Sequence, residues 1–393
     1  MKIYEIGTGY TPIPAQMGAA TEIVVEELTR SLIGLGYDAE IIDIKARSRA
    51  ECDLPITEVG VPSVFTKTDV SLGIMHKLKR VAYSVSLAAK LKKLIKRSAG
   101  EELVLHFHNQ YNLYFFLKLT PKKLREKVKI IYTVHSYIWH GEWEEIRDTV
   151  SKRYFQEVFS VKEADRVFVL NEQTASTFEK HLGVPAERIT LIDNGVNTDI
   201  YAPKSEDEKS GIKEKYGVSG KRVFVSVGSV CDRKNQLGAL KLLAPIMKAD
   251  PDTVYMYAGG IIDEEYQTDI LSYARECGFE DRVKYAGELC PGAELGGFYS
   301  IADAMVFPSK AEGFSLVIVE AMSAGVPVII PDTLHFKLEG ECLRFSDSDS
   351  FERTVAESVL DTEKRKECSE RVRAHVLDCY SWNKIASDYI SAL

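Results

Sequence analysis

Apolar positions recur along the chain in two alternating rhythms. Lys2–Gly7 is a short β-like run. Behind it Ala20, Ile23, Val24, Leu28, Leu32 and Leu35 fall at helical spacing, and Gly34 and Gly36 mark the end of that helix. Asp38–Ile44 returns to strand. Further strands are predicted at Leu103–His108, Lys129–His135, Arg166–Leu170 and Ile189–Asp193. Asn194-Gly195 is a turn signal, and the polar, charged stretch Pro203–Gly220 is read as the break between two domains. The alternation then resumes, with strands at Arg222–Gly228, Thr253–Gly259, Arg282–Ala286, Ala304–Pro308 and Pro327–Pro331. Ser381–Leu393 reads as a closing helix. Strands alternating with helices predict an α/β chain of two doubly wound, Rossmann-like domains, at 1–199 and 200–380. A ligand is expected at the C-terminal ends of the strands, in a central cleft between the domains. No short-period repeat is visible, which excludes solenoids and propellers.

Composition narrows the class. The 393 residues are 45% hydrophobic and 27% charged, the balance of an ordinary soluble globular protein rather than a disordered chain. The longest weakly charged stretch, Gly313–Pro331, is interrupted by Glu320 and by Gly and Pro, so no membrane span is expected. Met1–Pro14 carries Glu5 and two prolines and does not read as a signal peptide. The seven cysteines are odd in number, scattered and without a C-x-x-C pair. They read as reduced thiols of a cytoplasmic protein. The net charge of −8 argues against a nucleic-acid partner.

The run PSKAEGFSLVIVEAMSAGVPVIIP from Pro308 carries the most chemistry. A strand ends, a loop holds Glu312, Gly313 and Phe314, and Ser315 is placed to cap a helix from Leu316 to about Ala324. That helix is apolar nearly all round, so Glu320 on it is expected to be buried and to need hydrogen-bond donors, ligand hydroxyls among them. The helix N-terminus presents unpaired N–H groups and a positive dipole end. One loop thus combines an anion cradle with two carboxylates suited to sugar hydroxyls. In the other loop of interest, Arg233 and Lys234 precede a helix, where two cations can neutralise a departing diphosphate.

Glu312 and Glu320 stand eight positions apart in E-G-F-x-L-x-x-x-E-A-x-x-x-G-x-P-V. This resembles the E-x7-E signature of retaining glycosyltransferases of GT-B fold, family GT4. The resemblance implies that Glu312 faces the donor sugar, that Gly313, Phe314, Ser315 and Leu316 offer backbone amides, and that Glu320 takes the ribose hydroxyls. It places Arg233 and Lys234 on the diphosphate, although many relatives carry Arg where this chain has Ser229. Gly18 matches one glycine of the family's Gly-Gly pair near the donor phosphate. His135 matches a histidine near the reacting sugar, acting through its side chain or its main chain. Ile192–Asn197 with Tyr201 and Pro203, Arg282–Gly287, and Tyr380-Ser-Trp382 resemble further family segments, so the likeness spans nearly the whole chain. In the family the last helix crosses back to the first domain, and 381–393 is expected to do so here. The implied activity is a metal-independent, retaining transfer from a nucleotide sugar, in first place a UDP-sugar, with no cofactor. The acceptor is a glycan, a lipid-linked molecule or a small molecule. A nucleotide-sugar epimerase or phosphorylase of the same fold, and a non-catalytic nucleotide-sugar binder, are the alternatives.

Three N-terminal features bear on this reading. Gly7-Thr8-Gly9 lacks the third glycine and the immediate helix of a dinucleotide fingerprint. His106 and His108 share one strand face and, with His135 and His140, would be zinc donors, but no carboxylate follows them at ligand spacing. Residues 71–100 hold eight Lys and Arg, from Lys77 to Arg97, and no acid. Leu87, Leu91, Leu94 and Ile95 make this a basic amphipathic helix, either a solvated face or a peripheral membrane contact.

Overall fold

The computed structural model describes the chain except residues 15–18, 48, 66–73, 99, 313 and 335–340, and it leaves the side chains of 65, 74–76, 137 and 140 undescribed. Gly18 and Gly313 therefore lie outside the described residues. Two compact units result: Met1–Gly195 together with Trp382–Leu393, and Val196–Ser381.

The N-terminal unit is built on β1 (Lys2–Ile6), β2 (Asp38–Ile44), β3 (Ile56–Val59), β4 (Leu103–Phe107), β5 (Val128–Thr133), β6 (Arg166–Val169) and β7 (Ile189–Leu191). They form one sheet in the order β3-β2-β1-β4-β5-β6-β7, and every pairing is parallel. The order reverses between β1 and β4, which opens a crevice beyond their C-terminal ends. The C-terminal unit repeats the plan with β8 (Arg222–Val227), β9 (Thr253–Ala258), β10 (Val283–Tyr285), β11 (Ala304–Val306), β12 (Val328–Pro331) and β13 (Leu343–Phe345), ordered β10-β9-β8-β11-β12-β13. Its reversal lies between β8 and β11.

Helices on both faces explain why the strands read as near-continuous apolar runs. Along β8, Val223, Val225 and Val227 join one buried cluster while Phe224 joins the other. Two of the four edge strands, β3 and β13, escape sequence reading. They are short, 4 and 3 residues, and only partly buried, so no alternation marks them. β3 falls between the expected strands Asp38–Ile44 and Leu103–His108, where no strand is predicted.

The break read at Pro203–Gly220 is corrected. That stretch contains a helix, Glu206–Tyr216, opened by a capping box between Ser205 and Glu208 and closed by Gly217 in the left-handed region. It is polar because it has no buried residue, not because it is a linker. The units separate at Gly195 instead. A Cβ there would sit 2.5 Å from the Trp382 ring, so the close passage of the two chain crossings requires glycine.

Candidate active site

The loops after β8 and β11 flank the reversal of the second sheet. The chain leaves β8 through Gly228 at φ +142° and enters the helix Gln236–Ala249 through Asn235, at φ 58°. Gly228 is further constrained by Gly259 at φ +136°, whose added Cβ would fall 2.2 Å from the Gly228 carbonyl oxygen. The loops are stitched together. Lys310 N–H donates to the Arg233 carbonyl at 2.9 Å, and Asn235 Nδ2 donates to the Pro308 carbonyl at 3.1 Å.

Glu312 is the centre of this junction. Its Oε1 accepts from Arg233 Nη1 at 2.8 Å, Lys234 Nζ at 2.6 Å and Ser309 Oγ at 2.6 Å. With all three donors on Oε1, Oε2 is the oxygen with capacity for a ligand hydroxyl. Glu312 is 9% exposed and the Lys234 side chain 12%, whereas the Arg233 side chain is 37% exposed. Burial lowers the Lys234 pKa, while Glu312 works against that shift. Ser309 belongs to this cluster, and sequence reading missed it; its position three before Glu312 in the same loop was the available signal.

The helix Leu316–Ser323 begins next to this cluster. Ser315 occupies the N-cap in extended backbone, but its side chain makes no capping bond. The first N–H groups of the helix thus lack the partner a capping hydroxyl supplies. Phe314 is half-buried. Glu320 is buried as expected, at 6% exposure. Its donors, however, come from the protein. The Tyr299 hydroxyl donates to Oε2 at 3.0 Å, and the Tyr201 hydroxyl also faces it. Burial pushes the Glu320 carboxyl up to about 7, against both tyrosines. Tyr201 and Tyr299 are distant in sequence, and no local pattern pairs them with Glu320.

In the N-terminal unit, β1, β4 and β5 place Glu5, His106, His108, Thr133 and His135 on one face. Glu5 stands opposite His106 in register. The carboxylate missing from the local sequence is thus supplied from a strand about a hundred residues away. Ligand atoms of Glu5, His106 and His108 lie within 4.8 Å of one another, a set able to hold a metal ion. These atoms are already engaged in hydrogen bonds, His108 Nε2 with Glu5 Oε2 at 2.7 Å and His106 Nδ1 with Glu5 Oε1 at 3.1 Å. Among the described residues, the first helix after Gly7-Thr8-Gly9 begins at Ala20. There the Thr8 hydroxyl donates to the buried Glu22 carboxylate.

The basic helix spans Ile74–Arg97. Part of its charge is used internally. Lys79 is buried and donates to the Tyr10 carbonyl at 2.8 Å, Arg80 lies over the Tyr10 and Tyr111 rings, and Lys92 donates to the Leu119 carbonyl. Lys77, Lys90, Lys93, Lys96 and Arg97 are exposed, beside exposed Leu78, Val81 and Val85. Among the described residues no helix is long and apolar enough to cross a membrane.

Comparison with known proteins bears on both units. Residues 21–200 match the family described as Glycosyltransferase Family 4, and residues 208–375 match the one described as Glycosyl transferases group 1. The GDP-mannose-dependent alpha-(1-6)-phosphatidylinositol monomannoside mannosyltransferase of Mycolicibacterium smegmatis is 25% identical over 233 residues, which cover 56% of this chain and 59% of that protein. Mannosylfructose-phosphate synthase of Agrobacterium fabrum is 23% identical over 352 residues, covering 83% of this chain and 74% of that protein. Among solved structures, Anabaena HepE in complex with UDP and glucose matches with a TM-score of 0.72 at 17% identity, covering 100% of both chains. At that identity the likeness is one of fold.

Proposed function

Because the chain belongs to the group 1, family 4 glycosyltransferases of GT-B fold, we propose that it moves a sugar from a UDP-sugar to an acceptor hydroxyl with retention of configuration and without a metal ion. The observation that carries this is the convergence of Arg233, Lys234 and Ser309 on Glu312, beside an uncapped helix N-terminus. In this reading the diphosphate takes over the two cations and the amides of Ser315 and Leu316. Glu312 turns to the sugar, and Glu320 accepts from the ribose hydroxyls. His135 contributes to positioning the donor sugar. The leaving diphosphate deprotonates the acceptor on the same face, and the protein supplies orientation and electrostatic stabilisation.

Thermal unfolding with nucleotides tests the donor assignment, because a ligand bound to the native state raises Tm by mass action. UDP and one UDP-sugar are expected to raise Tm, equally with and without EDTA. A protein that shifts with no nucleotide sinks the reading. The increment is expected to grow between pH 6 and pH 8. Glu320, raised to about 7, is the better acceptor once ionised, so nucleotide binding favours its deprotonated form. Glu320→Gln should flatten that dependence.

The acceptor in this proposal is lipid-linked, and the helix Ile74–Arg97 meets the anionic surface that holds it. Its exposed lysines flank exposed Leu78, Val81 and Val85, which suits shallow insertion between acidic headgroups. The protein is expected to sediment with phosphatidylglycerol vesicles and not with phosphatidylcholine vesicles. The double change Val81→Asp, Lys90→Glu should abolish this. Unaltered sedimentation of that variant rejects the contact.

A further inference from the structure

The buried polar string of the N-terminal unit has a direction. Glu5 Oε2 lies 2.7 Å from His108 Nε2, and His108 Nδ1 lies 3.1 Å from His135 Nε2. His106 Nδ1 hydrogen-bonds the other Glu5 oxygen, Oε1, at 3.1 Å, and its Nε2 is 2.7 Å from Thr133 Oγ1. The Tyr389 ring stacks on His106 at 5.0 Å, and the His108 and His135 rings stack at 5.4 Å. Glu5, His106 and His108 are buried, whereas His135, beyond the end of β5, is half-buried. The string runs from the core to the surface at the C-terminal end of the sheet, where ligands of such folds bind.

Hydrogen-bond arithmetic then sets each proton. An ionised carboxylate only accepts, and a neutral imidazole has one donor and one acceptor nitrogen. His108 must therefore carry its proton on Nε2, facing Glu5. Its Nδ1 is left as a lone pair, and among the described residues the nitrogen facing it is His135 Nε2, which must donate. The remaining His135 nitrogen, Nδ1, has no hydrogen-bond partner among the described residues and is an acceptor. The ionisation states agree with this chain. Burial raises Glu5, but the two imidazoles outweigh it and bring its carboxyl down to about 2. Burial, with the neighbouring His106, pulls His108 down to about 4, and burial, with His108 and then His106, holds His135 well below its usual value.

We propose that Glu5 and His108 are positioning residues that hold His135 as its Nε2–H tautomer, so that Nδ1 presents a lone pair to a donor-sugar hydroxyl. The hydroxyl end of this inference rests on the placement of His135 at the sugar; the tautomer end does not. It also gives the Glu5–His106–His108 group a role other than metal binding, because a metal would take the His108 nitrogen that here bears a proton.

The test is the side-chain ¹⁵N spectrum of the intact, ligand-free protein at neutral pH, with His135 assigned by its loss in His135→Gln. The expected result is a protonated Nε2 and an unprotonated Nδ1 on His135. Glu5→Gln offers His108 an amide that donates as well as accepts, so the single tautomer should be lost. A wild-type His135 that is Nδ1-protonated or doubly protonated overturns the proposal, and so does a spectrum unchanged by Glu5→Gln. The wild-type spectrum decides by itself if Glu5→Gln fails to fold. Stoichiometric zinc that displaces the His108 proton also overturns it. If Glu5→Gln scrambles the tautomer and sugar transfer is unaffected, the positioning of His135 stands and its placement at the sugar falls.

Discussion

Lys234→Ala is expected to lower turnover by about 10²–10³-fold, the usual loss when a preorganised group that stabilises developing charge is removed. The Lys234 ammonium is fixed before any ligand arrives. It lies 2.6 Å from Glu312 and 4.9 Å from the centre of the Phe307 ring, and its stem runs where a Cβ added at Gly228 would come within 3.2 Å of it. Little reorganisation is needed when the sugar–phosphate bond breaks and negative charge gathers on the diphosphate. The loss should therefore appear in kcat more than in the KM for donor. Arg233→Ala should cost less, because its guanidinium is more exposed and its charge better screened by water. Single-turnover release of UDP from a labelled donor measures both. A folded Lys234→Ala protein with wild-type release rates removes Lys234 from the chemistry.

Glu312→Ala should damage both turnover and stability. Among the described residues the carboxylate is the acidic partner of Lys234, whose side chain is largely buried. Removing one partner of a buried pair typically costs about 3–5 kcal/mol, because the other charge remains uncompensated. Ser309 and Arg233 lose an acceptor in the same step. Glu312→Gln keeps the shape and one acceptor oxygen, so it should regain part of the melting temperature. Without the charge that sets Lys234 and orients the sugar, its turnover should stay low. Unfolding curves and kinetics on the same preparations separate the two effects. Equal stability of wild type and Glu312→Ala would mean that Lys234 finds solvent or another partner, and the junction would then not depend on Glu312.

The two kinds of element differ in how far they can be read from the chain. Central strands such as Arg222–Val227 and Thr253–Ala258 announce themselves because both of their faces are covered, which demands uninterrupted apolar residues. Asp38–Ile44 coincides with its expected bounds. Of the four edge strands, Ile189–Leu191 and Val283–Tyr285 fall inside expected strands, whereas Ile56–Val59 and Leu343–Phe345 do not show; at three or four half-covered residues they have no period to detect. The helix Glu206–Tyr216 was hidden by its own solvation, although Ser205 and Glu208 carried a capping-box signal.

What the sequence by itself determined is the alternation of buried strands and helices, the division into two units, and the local motif that sets Glu312 and Glu320 eight positions apart. These are short-range properties, written in periodicity and spacing. Tertiary structure decided which groups share a proton or a charge. It put Arg233 and Lys234 on Glu312 across 79 and 78 positions, supplied Glu320 with Tyr299, and brought Glu5 to His106 and His108 from about a hundred residues away. The reason is physical. Parallel sheets join strands that are distant in sequence, and the pairing register, not the order of residues, sets which side chains meet at the ends of those strands.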